Sequence, residues 1–542
     1  MAGDSSTGAE LREGSTLSND WWMYHGDERH SGNAAGQSAI TSASVHRLVS
    51  LHKIVLNDPI ISVPAIVQGK IYVGTKSPKS GGTLYKIDVA SGVINGTFAV
   101  PFAGGGVWDS GIGATPAVVN GRVYFSSLDG KIYCVDATTL KQIWVTDLRN
   151  PDLAHNQPMS RPTSACWTSP LVVNGKVYVG SGLGEDDTVV FGFVYCLDGA
   201  TGKVIWLFCT NRFSGTAENS PNVLPKSAVS GPMPKGFTHA SSDPPAKGAS
   251  VWSSCAYSQK YNRIYVGTGN PDPDGPLPNA PYASGVLSLD ANTGIFKGFF
   301  QPAPADSYRP DDLDVDIPPS PMLFTQAGRE MLAIGSKNGS FFLLDSGTMQ
   351  CIKRRQLLPR LGGDGFPGDG SKPLHTIDVH TADSNENHWG TYSTAAAHVG
   401  QGRLFVGLGG WQDANNPSID TASTPFLRAL DWVTLHDAWP TAIGADGVRR
   451  YTFPSQPMYA NPGEVALSSP AVVNDVVFVT TNAAAFYAFN VANGQYLWQA
   501  NDLGTPPRGQ PALDFVNMGP AIYGNYVVIG TSTGKLHIYS LS

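Results

Sequence analysis

The chain has 542 residues and carries 36 Lys+Arg against 43 Asp+Glu, a net charge of −7. Only 15% of its residues are charged and 41% are hydrophobic, which supplies a core and excludes a disordered chain, a coiled coil and a basic nucleic-acid binder. Its 61 Gly and 40 Pro favour many short strands with frequent turns.

The opening MAGDSSTGAELREGS is polar and lacks the basic-then-apolar profile of an export signal. It reads as a flexible tail over 1–19, ahead of a single domain over 20–542. The expected compartment is cytoplasmic, or periplasmic or secreted if an export signal was removed. No run approaches the roughly 20 apolar residues of a membrane helix, so no membrane span is expected. Six cysteines stand at 134, 166, 196, 209, 255 and 351, without CxxC or adjacent pairs. Zinc ribbons and covalent c-type haem are therefore unsupported. Cys134 and Cys196 fall in apolar runs and read as buried free thiols.

From residue 60 onward one phrase recurs: small residues with Pro, an apolar run, a turn, a second apolar run, then Asp-x-x-Thr/Ser-Gly and an aromatic. SVPAIVQGKIYVGT is followed by ATPAVVNGRVYFSSLDGKIYCVDATTLKQIW and TSPLVVNGKVYVGS. Later copies include NRIYVGTGN, SPMLF with MLAIGSKNGSFFLLDSGT, GRLFVGLGG and SPAVVNDVVFVTTNAAAFYAFNVANGQYLW. The last copy, MGPAIYGNYVVIGTSTGKLHIYSL, stops one strand early. Asn-Gly at 120–121 and 174–175, and Asn-Asp at 474–475, are hairpin signals between alternating runs. Four-stranded units cannot bury both faces alone and must stack. Seven full phrases and a truncated eighth predict an all-β, eight-bladed β-propeller. VHRLVSLHKIVL (45–56) is the predicted donor strand that closes the ring against 515–541. The recurring Trp144, Trp206 and Trp498 read as blade-to-blade docking residues rather than a ligand platform. Long interruptions fall at 210–248, 271–283, 357–388, 411–426 and 440–463, and the first reads equally as a mobile lid or a solvated insertion.

The DxxTGxxxW phrases on an eight-unit ring resemble the pyrroloquinoline quinone (PQQ) propellers of the quinoprotein alcohol dehydrogenase superfamily. The details are most similar to the polyvinyl-alcohol-dehydrogenase-like branch, whose WxMxG-type opening is echoed by Trp22, Met23, Tyr24 and Gly26. The resemblance implies a site built from residues outside the repeat. Glu185 in GSGLGEDD and Asn270 in GTGN match metal ligands. Trp252, eighteen residues before Asn270, matches the indole on which the cofactor stacks. Asp314 and Asp316 in DDLDVDIPPSPML stand where the catalytic Asp is carried. Lys337 matches the cation beside the quinone oxygens, and Trp389 matches an axial Trp-Gly. Thr168 is a further implied cofactor contact.

The chemistry of that set is coherent. An indole covers one face of a planar quinone. Glu, Asn and Asp are hard oxygen donors suited to Ca²⁺ or a lanthanide. An Asp acts as general base on the substrate hydroxyl, and a Lys offsets charge on the quinone oxygen. Asp316 is favoured as the base, with Asp314 as an added ligand. The implied activity is PQQ-dependent oxidation of a small-molecule or polymeric alcohol, with electrons leaving to a separate acceptor.

Each residue also has a plainer job: a solvated acidic loop for Glu185, a turn for Asn270 before Pro, blade core for Trp252, an exposed hairpin for Lys337. Five residue types at matching places in four blades support the functional reading jointly. Against a simple transfer, adjacent cysteines and haem attachment are absent, and Phe191 stands where the superfamily often has Arg. His375, His380 and His388 match no common metal motif. Two other readings stay open, a non-catalytic binding scaffold and a redox-neutral lyase or cyclase that reuses the axial pocket.

Overall fold

The computed structural model describes residues 19–34, 38–56, 58–77, 81–102, 110–148, 166–182, 192–210, 223–224, 249–269, 282–302, 317–337, 339–357, 389–410, 425–443, 449–451, 466–482, 484–503 and 519–542. Antiparallel sheets follow one another as eight blades: 65–100, 117–147, 171–209, 256–300, 322–356, 396–431, 471–499 and 521–541. Blade 8 is completed by Leu48–Val55, which pairs with Lys535–Leu541 from Leu48↔Leu541 to Val55↔Lys535. The ring is therefore closed by the strand that the truncated last repeat requires. Blade 3 gains a fifth strand, Val223–Leu224, so the 210–248 segment lies at that point along the outer edge of its own blade. Among the described residues blade 6 has three strands, and a separate hairpin pairs Thr441–Ile443 with Arg449–Tyr451. None of the described helices is long and apolar enough to cross a membrane.

The first strand of each blade is short and innermost, and these strands approach one another between successive blades at seven of the eight junctions. Middle strands such as Phe486–Asn490 are buried almost throughout, whereas outer strands such as Gln142–Asp147 alternate exposed and buried residues. Burial of both faces between neighbours explains the low charge content.

Two local devices recur among the blades. At the hairpins, Asn120–Gly121 and Asn174–Gly175 take positive φ at both positions, the twist that suits tight antiparallel turns. Gln68–Gly69 and Ala327–Gly328 do the same without a sequence signal for it. At the DxxT turn, Asp198 accepts hydrogen bonds from the backbone N–H of Ala200 and Thr201 and from the Thr201 hydroxyl. These bonds hold its carboxyl below the usual range.

The repeated tryptophans join blades. Trp144 donates to the Gly199 carbonyl (3.1 Å) and Trp206 to the Ala291 carbonyl (3.2 Å), each in the next blade's turn. Trp498 reaches Leu48 of the closing strand (3.2 Å). Each of the first two indoles lies on a glycine. A Cβ at Gly202 would stand 2.6 Å from Trp144, and one at Gly294 would stand 2.7 Å from Trp206. All six cysteines are free, and only Cys351 is exposed. Burial raises the Cys134 and Cys196 thiols to about 12.

Candidate functional site

The axial channel is plugged at one end by the N-terminal segment. Trp21 exchanges backbone hydrogen bonds with Ile66 of blade 1, and Trp22 accepts from Val118 of blade 2. Glu28, Arg29, Ser31 and Gly32 then accept from Tyr257, Leu323, Ala397 and Val472 in blades 4, 5, 6 and 7. The plug spends its polar backbone on the inner strands, which have an unpaired edge toward the axis. Trp21, Trp22, Met23 and Tyr24 are buried. Within the plug the His25 ring touches two carbonyls, His30 and Pro470, each at 2.7 Å. Burial lowers the pKa of His25 and takes that of His30 to about 3.

Above the plug runs a girdle of hydroxyls. Two residues before each inner strand stands Thr115, Ser169, Ser254, Ser320, Thr394 or Ser469, in blades 2 to 7. The N–H of each of the first five donates to the hydroxyl of the next, at 2.8–3.0 Å. The Tyr24 hydroxyl meets this girdle at Thr394 (3.0 Å) and Ser469 (3.2 Å).

Side chains alternate in extended chain, so the residue two earlier also faces the channel. That layer holds Gly113, Trp167, Trp252, Pro318 and Tyr392, and together with Tyr24, Thr115, Ser169, Ser254 and Ser320 it lines a small well, partly open to solvent. Gly113 leaves room for Trp167, since a Cβ there would stand 3.3 Å from the indole.

Lys337 packs against two residues of this lining. It is 8% exposed, and its Nζ lies 5.5 Å from the Trp252 ring centre and 5.8 Å from that of Tyr392. The exposed-hairpin reading of Lys337 is thereby overturned. The backbone of Trp389–Gly390 pairs with Gly409–Gly410 and lies against Lys337, where a Cβ on Gly390 would meet the Lys337 Cα at 2.3 Å. Gly269 keeps the indole edge clear, because a Cβ there would stand 3.2 Å from Trp252 Nε1. A flat floor with a buried ammonium beside it suits a planar anionic ring.

Thr168 is placed differently from its neighbours. Its hydroxyl donates to the Gly180 carbonyl and accepts from the Gly180 N–H, both at 2.9 Å, so it serves its own blade while Trp167 and Ser169 face the well. Glu185, Asn270, Asp314, Asp316 and Phe191 lie outside the described residues, as do His375, His380 and His388. Among the described residues no group of three or more His, Cys, Asp or Glu forms a metal cluster. Sequence reasoning missed the plug, the girdle and Trp167. A Ser or Thr ahead of the apolar run in ATPAVV, TSPLVV and LSSPAVV is the signal that marks the girdle.

Residues 152–353 match the PQQ family described as "Glucose/ethanol/alcohol dehydrogenase, beta-propeller domain". Residues 456–542 match the family of the "Outer membrane protein assembly factor BamB". The dehydrogenase subunit of the quinone alcohol dehydrogenase of Gluconacetobacter polyoxogenes is 25% identical over 333 residues, 58% of this chain and 42% of that protein. The chain therefore spans less than half the length of that relative. The crystal structure of the quinohemoprotein alcohol dehydrogenase of Comamonas testosteroni superposes with a TM-score of 0.67 at 20% identity, covering 96% of this chain and 80% of the other. A europium-containing methanol dehydrogenase superposes with a TM-score of 0.65 at 17% identity, over 97% and 99% of the two chains. Both superpositions establish the shared fold.

The ring of eight blades is a β-propeller, and its residues 152–353 match the PQQ propeller family. Over part of its length the chain is thus similar to quinoprotein alcohol dehydrogenases.

Proposed function

We propose that the protein is a PQQ-dependent dehydrogenase that oxidises an alcohol with a bound Ca²⁺ or lanthanide ion. The observation that carries this reading is the buried Lys337 ammonium over Trp252, an indole that lines the axial well. When bound, the quinone supplies the two-electron oxidant. Trp252 would cover one of its faces. Lys337 would offset the charge on its oxygens, in a buried setting where a fixed cation acts strongly. Asp316 takes the proton of the substrate hydroxyl, and Trp389 borders the cofactor. Glu185, Asn270 and Asp314 are the oxygen donors that would hold the cation. The substrate is a small-molecule or polymeric alcohol, the electron acceptor is a separate partner, and the compartment is periplasmic or secreted.

The test adds PQQ with Ca²⁺ or La³⁺ to the metal-free protein and follows quinone absorbance and dye reduction across an alcohol panel. Dye reduction that needs both PQQ and metal is expected. Absence of PQQ binding under every metal condition would sink the reading. The BamB-family match over 456–542 favours a second reading, a non-catalytic binding propeller. A folded protein that binds no PQQ would support it.

A further inference from the structure

The repeat places a second buried lysine at the same position as Lys337. Gly74-Thr75-Lys76 and Gly335-Ser336-Lys337 end the second strands of blades 1 and 5, with Gly74 paired to Leu84 and Gly335 to Phe341. The equivalent residues in the other blades are Leu128, Gly182, Gly269, Gly409, Asn482 and Ser532. Lysine thus occupies this position only in two blades four places apart, which face each other across a ring of eight.

The surroundings of the two lysines also match. Lys76 is 5% exposed, and its Nζ lies 5.4 Å from the ring centre of Trp167, as that of Lys337 lies 5.5 Å from that of Trp252. Both indoles line the same axial well. The Lys76 backbone is fixed by an N–H bond to the Pro59 carbonyl (2.9 Å). Gly111 packs so closely that a Cβ on it would stand 2.6 Å from the Lys76 Cα. A long, flexible side chain is held at a defined place beside an indole of the well.

Two buried ammonium groups, rooted in opposite blades and each beside an indole that lines the well, raise the positive potential around it. The ligand that suits such a site is planar and carries more than one negative group. We infer that Lys76 is a second anion-binding residue of the axial site, taking a carboxylate of the bound ligand on the side away from Lys337. The inference rests on the proposed function, in which that ligand is the tricarboxylate quinone PQQ.

The experiment titrates PQQ, with Ca²⁺ present, into wild type, Lys76→Gln and Lys76→Arg, reading quenching of tryptophan fluorescence. The trimethyl ester of PQQ, which lacks the carboxylate charges, is titrated in parallel. Loss of one charge-assisted contact predicts PQQ binding weakened by about tenfold to hundredfold in Lys76→Gln. Ester binding is expected to stay within about threefold, and Lys76→Arg to keep PQQ affinity within about threefold. Unchanged PQQ affinity in Lys76→Gln overturns the inference while leaving the proposed function intact. Equal weakening of PQQ and ester also overturns it, because the change is then one of shape. So does an Arg variant as weak as the Gln variant. Wild type that binds no PQQ overturns both readings.

Discussion

The contact between Trp206 and Gly294 tests blade docking most directly. The indole is 3% exposed, donates to the Ala291 carbonyl and covers a glycine at φ +72°. Trp206→Ala empties an aromatic site, which costs about 3–5 kcal/mol. The Ala291 carbonyl is not orphaned, because the Tyr178 hydroxyl also donates to it (2.9 Å). Gly294→Ala carries two separate costs: about 1–2 kcal/mol for a side chain on left-handed backbone, and about 1–3 kcal/mol for pressing a methyl 2.7 Å from the ring. In the Trp206→Ala background the second cost disappears, so Gly294→Ala should then cost only about 1–2 kcal/mol. Equilibrium urea unfolding of the four proteins gives the coupling, expected at about 1–3 kcal/mol. If the two costs add to within about 0.5 kcal/mol, the indole does not rest on the glycine and the docking account fails.

Tyr24→Phe removes the hydroxyl that meets Thr394 and Ser469 and should cost about 1–2 kcal/mol in the same unfolding assay. The Asp88 carboxyl is held down to about 2 by Lys70 Nζ at 2.6 Å and by Ser91. Its stabilising contribution is therefore full above the unfolded value near 4 and is lost as pH falls through about 2. Asp88→Asn should lower Tm at pH 7 and lose less Tm than wild type between pH 4 and pH 2. A native thiol assay at pH 8 should label Cys351 alone, and denaturation should expose all six cysteines. Lys337→Met should weaken PQQ binding by about tenfold or more, read by absorbance titration.

The blade count, the closing strand and the docking tryptophans were legible because each rests on a repeated relation. A truncated eighth copy demands a partner strand, and 45–56 was the unassigned apolar run, observed as Leu48–Val55. The Trp–Gly contact repeats, so one reading served several blades. The plug was not legible. Its residues occur once, and its hydrogen bonds are distributed over six blades that are distant in sequence. The turns at Gln68–Gly69 and Ala327–Gly328 were hidden for a different reason: the register of the flanking strands imposes positive φ on residues with no preference for it. Around the well, parity was the missing argument. The inner-strand approach alternates, so Trp167 and Ser169 share the channel face while Thr168 turns to Gly180. Lys337 was found through resemblance, although its position at the end of a blade strand is repeated by Lys76 and could have been read from the repeat alone.

The pairing of Leu48–Val55 with Lys535–Leu541 has a consequence for biosynthesis. A ribosome makes the first of these segments hundreds of residues before the second. Until the second is made the 48–55 segment has no partner, and the plug segment before it waits for partners as far along the chain as Val472. An incomplete ring thus exposes an apolar strand edge that can pair with another chain. The same arrangement works as a completeness check, since a chain that ends early can form blades but cannot close the circle.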